Sequence, residues 1–422
     1  MSSGAGANLT LFPNPSTWNS NASILYLEQP AGVGFSYCNL TLRRAGGHAD
    51  SCAHTDTSVA HDNLAFLTRF FGAGAYPEFK ANPLVLAGVS YGGVYVPMLA
   101  SLMLAAGGFN LAGITVGNPT FRWGTGVGRN SSLANAPQDV ESITKLRMDM
   151  LGSHGQFSPA LYAQIRRDCT FFNNDTVAPA TVCEPLLDAM KAQAGGYDLY
   201  SLYDQCFLDG DDAEDDAPVA SAAPGRGGTT GRRRGGAAVA AGAPAAADDS
   251  RFGHCGQERA LTAYCNEDSV RAALHVPSVA EFGPFQKDNT AAHTAWWRYQ
   301  ADEPDTRRHY LQILAAGVRV LVYSGDTDNC LPYTGTAQWV RHLGQNETEP
   351  WRPWTTDGGR RMGGYVVTFG SGLLEFVTVR GAGHMVPEFR PVEAATMVRR
   401  WLRRLPLPPY VGPSTARYTA QP

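Results

Sequence analysis

A serine between glycines lies at the point where an apolar run changes into a helical pattern. Residues 82–93 read Asn-Pro-Leu-Val-Leu-Ala-Gly-Val-Ser-Tyr-Gly-Gly, and residues 88–92 fit the pattern Gly-x-Ser-x-Gly around Ser90. The glycines allow the strand and the helix to approach closely, so that a sharp turn lifts the serine hydroxyl above the sheet. This strand–turn–helix context, more than the pentapeptide itself, predicts that Ser90 is a nucleophile.

A serine hydroxyl is a poor nucleophile without a histidine base and an acid that orients the histidine. The apolar run 318–323 is followed by Asp326 and Asp328, and the run 375–379 leads into a glycine-rich loop that contains His384. An aspartate after a strand is often only a turn former. The chain order of serine, aspartate and histidine, each after a strand, nevertheless matches the nucleophile-elbow folds and predicts a hydrolytic triad.

Five short apolar runs and five segments of helical periodicity would position these residues. Strands alternating with helices indicate an α/β fold with a mostly parallel sheet, in which both faces of each strand are covered. The strands are predicted at residues 24–27, 84–87, 114–116, 318–323 and 375–379, and the helices at 59–71, 94–104, 269–274, 335–343 and 391–402.

The middle of the chain differs from its two ends. Residues 119–310 contain helical patterns but few strand signals, which predicts a helical cap inserted between two parts of the core, 1–118 and 311–422. Within the cap, residues 209–250 consist almost entirely of small and charged residues and cannot bury enough apolar surface to offset their ordering entropy. We interpret this segment as a disordered linker. The three arginines at 232–234 are either a protease site or a solvated charge run.

The composition is typical of a soluble globular protein and gives no sign of a nucleic-acid-binding or membrane-spanning one. The 422 residues include 34 basic and 38 acidic side chains, a formal net charge of −4, and 44% are hydrophobic, which is ordinary for a soluble globular protein. The linker contains eight acidic residues and four arginines and so accounts for this net charge. The balanced remainder gives no support for nucleic-acid binding. No run of about 18 apolar residues is present that could span a membrane.

Cysteines and glycosylation sequons point to an oxidising compartment. None of the cysteines forms a Cys-x-x-Cys pair, which argues against a zinc or thioredoxin-like site. Residues 1–10 lack the features of a signal peptide, so either the protein is not exported or this chain lacks its true beginning. The eight cysteines are Cys38, Cys52, Cys169, Cys183, Cys206, Cys255, Cys265 and Cys330, and the six sequons are at Asn8, Asn21, Asn39, Asn130, Asn174 and Asn346.

The sequence resembles the serine carboxypeptidase family, including its plant-type acyltransferase relatives. The resemblance extends over nearly the whole chain apart from the linker. It rests on Pro-Asn-Pro-Ser-Thr-Trp at 13–18, Glu-Gln-Pro-Ala-Gly-Val-Gly-Phe-Ser-Tyr at 28–37, the serine elbow, Gly-Asn at 117–118, Gly-Asp-Thr-Asp at 325–328 and the glycine-rich loop at 381–387. It implies an α/β-hydrolase fold with a mostly parallel sheet and a helical cap.

The resemblance also implies roles for individual residues. Ser90 would be the nucleophile, His384 the base and Asp328 its orienting acid, with Asp326 a structural turn residue and the Tyr91 N–H an oxyanion donor. It implies no cofactor and no metal, a peptide or ester substrate, a secretory, vacuolar or extracellular location, and it allows a homodimer. The resemblance further implies that the substrate contacts Glu28, Gly34, Val89 and Met385. It also implies two disulfides, Cys169–Cys183 and Cys206–Cys255.

Two departures from the family pattern leave the function open. The family's Trp-x-Asn-Gly-Gly-Pro-Gly-Cys-Ser-Ser loop, which supplies a second oxyanion donor, lies upstream of residue 1, so we expect the chain to be incomplete. Val89 stands where carboxypeptidases carry a glutamate that binds the substrate carboxylate and links activity to acid pH. The expected function is a serine carboxypeptidase. The alternatives are an acyltransferase or esterase, and a homologue without catalytic activity.

Overall fold

The computed structural model describes residues 11, 13–38, 52–73, 75–122, 142–171, 177–203, 257–285 and 297–411. Ten strands lie within these ranges. They are β1 (Cys52–Thr55), β2 (Leu84–Val89), β3 (Leu111–Gly117), β4 (Thr170–Phe171), β5 (Val177–Ala178), β6 (Trp297–Gln300), β7 (Arg319–Gly325), β8 (Glu347–Thr355), β9 (Met362–Phe369) and β10 (Leu374–Val379).

Six of these strands form the central sheet, in the order β2-β3-β7-β10-β9-β8. The first four are parallel to one another, and β9 and β8 continue the sheet in antiparallel register beside β10. Parallel strands end at the same edge of a sheet, so the loops that follow β2, β7 and β10 share one edge. That edge carries Ser90, Asp328 and His384.

Both faces of the sheet are buried, as strand β7 illustrates. Val320 and Val322 pack on one face with side chains of the helices that follow β2 and precede β7. Leu321 and Tyr323 point to the opposite face, against the last helix of the chain. Because all four side chains are excluded from water, an apolar residue is favoured at every position, and the polar–apolar alternation of a half-exposed strand is lost.

The predicted helices are all present, and their bounds lie within three residues of the predicted ones. Within the described part of the chain, none of the helices has the length and apolar character to cross a bilayer. In chain order they are α1 (Asp56–Phe70), α2 (Gly92–Ala106), α3 (Ile143–Ser153), α4 (Pro159–Asp168), α5 (Ala180–Ala194), α6 (Gln257–Asn266), α7 (Asp268–Ala273), α8 (Val279–Phe282), α9 (Arg307–Ala315), α10 (Tyr333–Arg341), α11 (Val386–Phe389) and α12 (Pro391–Leu402).

Local signals in the sequence explain where helix α1 begins. Helix α1 starts three residues before the apolar periodicity because Thr55 and Ser58 form a reciprocal capping box, in which each side chain accepts from the other's backbone N–H. Asp56 adds a carboxylate to the first turn, where the exposed backbone N–H groups favour negative charge.

The prediction of a strand at residues 24–27 is wrong. This segment has no regular secondary structure and pairs with no described strand, and Tyr26 is 80% exposed. An apolar run becomes a strand only when a neighbouring chain pairs its backbone groups, and the sequence of the run itself does not reveal whether such a neighbour lies beside it.

Three strand pairs within the described residues escaped prediction. β1 pairs in parallel with β6, and β4–β5 and β8–β9 are antiparallel pairs. β1 is only four residues long and ends in His54 and Thr55, so it lacks an apolar run. β8 contains two prolines and mostly exposed side chains, which is typical of an edge strand and gives little apolar signal.

Helices α3 to α8 belong to the region predicted as a cap. Helices α3, α4 and α5 share their own hydrophobic cluster, which contains Met148, Leu151 and Ile165, and the disulfide Cys169–Cys183 joins the end of α4 to α5. The division of the chain at 118 and 310 stays a prediction. The linker 209–250 and both Cys206 and Cys255 lie outside the described residues.

The remaining cysteines and sequons are described in part. Cys38 and Cys52 form a second disulfide, and Cys265 and Cys330 are free thiols. Asn346 is exposed in the turn before β8, and Asn21 is half-buried with its side-chain oxygen accepting from Arg403. The other four sequons, at Asn8, Asn39, Asn130 and Asn174, lie outside the described residues.

Close contact between β3 and α12 leads to a stability prediction. A Cβ atom at Gly113 would lie 2.5 Å from the Trp401 ring and 3.1 Å from the Arg319 carbonyl oxygen. We expect Gly113→Ala to lower the free energy of unfolding by about 1–3 kcal/mol, because the buried ring must shift to make room. Urea denaturation measures this change.

Gly196→Ala is the matched control, because no heavy atom lies within 4 Å of a Cβ added at Gly196. Its free energy of unfolding should stay within about 0.5 kcal/mol of the wild-type value. Equal stabilities of the two variants would contradict the proposed role of close packing at Gly113.

Candidate active site

Ser90 sits in the sharp turn between β2 and α2. Its φ of 58° places a non-glycine residue in the left-handed region, a conformation that the surroundings must stabilise. The Ser90 N–H donates to the Gly117 carbonyl at 2.9 Å, and the Ser90 carbonyl accepts from Thr120 N–H at 2.9 Å. A Cβ at Gly88 would lie 2.8 Å from the Val96 Cγ2 and 3.1 Å from the Gly92 Cα, so Gly88 allows the close approach of strand and helix, whereas a Cβ at Gly92 would have no heavy atom within 4 Å.

Helix α2, which follows the serine, contains Pro97, and a side chain of α9 replaces the hydrogen bond that this proline cannot donate. Pro97 has no N–H to donate to the carbonyl of Gly93, one turn earlier. The buried Tyr310 phenol donates to that carbonyl instead, at 3.1 Å. Burial raises the pKa of Tyr310 far above its usual value, so the phenol stays protonated and keeps this bond. A side chain of α9 therefore completes the backbone hydrogen bonding of the helix that carries the elbow.

The backbone N–H of Tyr91 is available to a ligand. Tyr91 occupies the position immediately before α2, and among the described residues none accepts a hydrogen bond from its N–H. The N-terminus of a helix favours negative charge through its unpaired N–H groups and its dipole. A developing oxyanion on a carbon bound to the Ser90 oxygen is the kind of charge that such a donor stabilises.

Asp328 and His384 form a direct pair. The His384 Nδ1 lies 2.7 Å from the Asp328 Oδ2, and both residues are almost fully buried. The other carboxylate oxygen accepts from the N–H groups of Cys330 and Leu331. These bonds hold the carboxylate toward Nδ1, so that the Nδ1–H tautomer is stabilised and Nε2 keeps its lone pair.

The two neighbouring aspartates have different environments. Asp326 accepts from the Gly381 N–H at 2.5 Å and thereby connects the loop after β7 to the loop after β10. Burial raises the pKa of Asp326, and the hydrogen bond from Gly381 opposes this effect. Asp326 has a structural contact, whereas Asp328 is the carboxylate that contacts the imidazole.

Asn118 is a site residue that the sequence reasoning did not single out. Its side-chain amide donates to the Asp328 Oδ2 at 2.7 Å, and its side-chain oxygen accepts from the Gly325 N–H at 3.1 Å. Its φ of 37° turns the chain sharply after β3. The available signal was the Gly117-Asn118 pair directly after a strand, because asparagine tolerates this backbone region better than most residues.

The cap reaches the same two loops. Backbone hydrogen bonds join His384 N–H to the Tyr200 carbonyl at 2.7 Å, Asn329 N–H to the Leu199 carbonyl at 3.1 Å, and Leu202 N–H to the Thr327 carbonyl at 3.0 Å. The Tyr200 ring lies 5.0 Å from the His384 ring. One strip of the cap, residues 199–202, is thus bonded both to the loop that contains Asp328 and to the loop that contains His384.

The residues predicted as substrate contacts lie in three places. Val89 is the last residue of β2, and Met385 directly follows His384. Glu28 accepts from the Phe35 N–H at 2.8 Å, and a Cβ at Gly34 would overlap its carboxylate. Glu28 therefore closes its own loop in this structure, with Gly34 leaving the space for it.

A second serine–histidine–carboxylate arrangement is present outside this edge. His309 lies between the Ser101 hydroxyl, 2.9 Å from Nδ1, and the Glu303 carboxylate, 3.0 Å from Nε2. Burial alone would raise the pKa of Glu303, but hydrogen bonds from His309 and Arg308 lower it. Ser101 lies in the interior of α2, where the backbone N–H groups are used within the helix, so α2 offers no backbone oxyanion donor beside it.

The structure therefore brings together two of the three predicted triad members directly. Asp328 and His384 are hydrogen-bonded, while Ser90 lies at the same sheet edge with its hydroxyl unbonded to any described residue. Hydrogen bonds between a nucleophile and its base are often long before substrate binds.

Similarity to known proteins agrees with this geometry. The family model for serine carboxypeptidases matches residues 2–404. The chain belongs to the serine carboxypeptidase family. Serine carboxypeptidase-like 40 from Arabidopsis thaliana is 30% identical over 412 residues, covering 97% of this chain and 69% of the relative. Serine carboxypeptidase 1 from Hordeum vulgare is 28% identical over 415 residues, covering 92% of this chain and 75% of the relative.

A solved carboxypeptidase shares the fold. The crystal structure of Kex1(delta)p, a prohormone-processing carboxypeptidase from Saccharomyces cerevisiae, superposes with a TM-score of 0.59 at 15% identity. The alignment covers 93% of this chain and 76% of that one. The predicted α/β-hydrolase fold of this serine carboxypeptidase family member, with its mostly parallel sheet and helical cap, is confirmed.

A second substitution that restores stability can test whether Tyr310 compensates for Pro97 in α2. Tyr310→Phe should lower the free energy of unfolding by about 1–2 kcal/mol, because the buried Gly93 carbonyl loses its donor. Pro97→Ala in the Tyr310→Phe background should recover most of this loss, since the introduced alanine would supply an N–H at the same carbonyl. Urea denaturation of the wild type, both single variants and the double variant measures the coupling. Strictly additive effects would contradict the compensation.

Proposed function

We propose that this protein is a serine-type hydrolase that releases C-terminal residues from peptides through an acyl-enzyme on Ser90. The observation that carries the proposal is the buried Asp328–His384 pair at the sheet edge where the strained Ser90 turn also lies. Membership in the serine carboxypeptidase family supports the same reaction class. The proposal assigns Ser90 as nucleophile, His384 as general base and Asp328 as the residue that orients the base.

The first half of the reaction forms the acyl-enzyme. The Ser90 oxygen attacks the scissile carbonyl carbon while its proton passes to the His384 Nε2, and the charge on the resulting imidazolium is stabilised by Asp328. The carbonyl oxygen becomes an oxyanion that accepts from the Tyr91 N–H. As the carbon–nitrogen bond breaks, the proton on Nε2 moves to the leaving amine, and Ser90 is left as an ester.

The second half regenerates the serine. Water loses a proton to the His384 Nε2 and attacks the ester carbonyl, and the collapse of this intermediate returns the proton to the Ser90 oxygen. An alcohol in place of water would yield a new ester by the same proton transfers. Hydrolysis and acyl transfer thus use the same residues and differ only in the acceptor.

A second candidate function, an esterase or acyltransferase, is favoured by Val89. This residue ends β2 directly before the nucleophile, and its apolar side chain can neither share a proton nor accept a hydrogen bond. Recognition of a free C-terminal carboxylate would therefore be weaker here than in relatives with a glutamate at this position. The family includes acyltransferases, which agrees with this second candidate.

Partners and location follow the same proposal. The expected substrate is a peptide or an ester, with no cofactor or metal taking part in the steps above. The disulfides Cys38–Cys52 and Cys169–Cys183 favour an oxidising environment, in line with a secretory, vacuolar or extracellular location. A homodimer stays a prediction.

Covalent labelling tests the nucleophile. A fluorophosphonate probe should modify Ser90, and Ser90→Ala should abolish both labelling and ester hydrolysis, with a loss of rate of about 10⁴-fold or more. Ser101→Ala is the matched control because Ser101 also contacts a histidine paired with a carboxylate. This control should keep the label. Labelling lost in Ser101→Ala, or absent from the folded wild-type protein, would contradict the proposal.

Substrate preference tests the effect of Val89. We expect ester hydrolysis to exceed C-terminal residue release at every pH between about 4 and 8, without the acid optimum that a carboxylate at this position would cause. Val89→Glu should increase peptide trimming at low pH, where a protonated carboxyl can bind the substrate carboxylate. Strong peptide trimming by the wild type with an acid optimum would contradict the reduced carboxylate recognition.

A further inference from the structure

A buried carboxylate outside the triad contacts the residue next to the nucleophile. Asp56, in the first turn of α1, has no exposed surface. Its Oδ1 accepts from the Tyr91 phenol at 2.7 Å and from the Tyr299 phenol at 2.6 Å. Its Oδ2 accepts from the N–H groups of Asp302 and Glu303, each at 2.8 Å. Four donors from two distant parts of the chain thus converge on one carboxylate.

A guanidinium balances the charge of this carboxylate. Arg122 lies after β3, and its Nη2 is 3.8 Å from the Asp56 Oδ2. The same nitrogen donates to the Tyr91 phenol oxygen, and the guanidinium carbon lies 5.6 Å from the centre of the Tyr91 ring. A buried carboxylate costs several kcal/mol unless it is paired and hydrogen-bonded, and here both conditions hold. The carboxylate therefore has a defined position at the hydroxyl end of the Tyr91 side chain.

The phenols that contact Asp56 are donors at neutral pH. Burial raises the pKa of Tyr91 above its usual range, and the hydrogen bond to Asp56 and its negative charge add to this effect. The pKa of Tyr299 is raised by burial and by its hydrogen bonds with Asp56 and Tyr95. Both side chains therefore stay protonated and hold their hydrogen bonds to the carboxylate.

Tyr91 is consequently fixed at both of its ends. Its backbone follows Ser90 in the strained turn, and its ring packs beside Val94 and Ala60 before the phenol reaches Asp56. A residue with a fixed ring and a fixed helix start has little freedom to rotate its peptide plane. The direction of the Tyr91 N–H is thereby set from two sides.

We propose that Asp56 is a positioning residue for the reaction at Ser90, which it serves by holding Tyr91 so that the Tyr91 N–H is aimed at the oxyanion. This inference rests on the proposed function. The competing explanation is that Asp56 only fastens the segment around Asp302 and Glu303 to α1. The two explanations differ in what each phenol should contribute, because Tyr91 is adjacent to the nucleophile and Tyr299 is not.

The experiment compares Tyr91→Phe with Tyr299→Phe in the 422-residue chain. Each variant removes one phenol oxygen from the same Asp56 Oδ1, so both should lower the thermal unfolding midpoint. Hydrolysis of an N-acyl amino-acid methyl ester gives kcat and KM. We expect Tyr91→Phe to lower kcat about tenfold with KM changed less than about twofold, since an interaction made only in the transition state is weakened.

Asp56→Asn completes the comparison. It should lower kcat at least as much as Tyr91→Phe, and the double variant Asp56→Asn/Tyr91→Phe should be no slower than Asp56→Asn alone, because both changes release the same N–H. Tyr299→Phe should keep kcat within about twofold of the wild-type value. Should Asp56→Asn fail to fold, the two tyrosine variants still decide the question.

The outcomes separate this inference from the function on which it rests. If the wild-type chain hydrolyses the ester and Tyr91→Phe keeps the wild-type kcat, the inference is wrong and the proposed function stands. Equal losses of kcat in the two tyrosine variants would likewise overturn it in favour of a purely structural Asp56. If the wild-type chain neither hydrolyses the ester nor takes a fluorophosphonate on Ser90, the proposed function fails and the inference fails with it.

Discussion

The parallel pairing of β2, β3, β7 and β10 is the constraint on which the rest of the structure depends. It delivers four loops to one edge of the sheet, where backbones must pass at contact distance. A Cβ at Gly325 would overlap the carbonyl oxygens of Ala382 and Gly383, and a Cβ at Gly117 would overlap the Tyr323 ring. Gly117 and Gly325 are thus required by the crowding of this edge.

The sequence was sufficient for features that depend on local patterns. A continuous apolar run marks a doubly buried strand such as β7, and 3.6-residue periodicity marks an amphipathic helix such as α12, so these elements were predicted closely. The positions of Ser90, Asp328 and His384 followed from motifs and chain order. The Asp328–His384 contact required only that two adjacent parallel strands end together.

Features that depend on distant partners could not be predicted. Residues 24–27 have strand composition but no strand partner among the described residues, whereas β1 has a partner in β6 but no strand composition. Asp56 stands three residues before the predicted helix 59–71 and was not singled out, since its donors lie at Tyr91 and more than 240 positions away at Asp302 and Glu303. Hydrogen bonds over such separations leave no periodic trace in the sequence.

The strip of cap around Tyr200 has a consequence for how substrate can enter. Its three backbone hydrogen bonds end on the loops that carry Asp328 and His384, and a buried hydrogen bond that is broken without replacement costs about 1–3 kcal/mol. If this segment moved away when substrate binds, the loops that contain Asp328 and His384 would lose these hydrogen bonds. We therefore expect the strip to keep its place when substrate binds at Ser90.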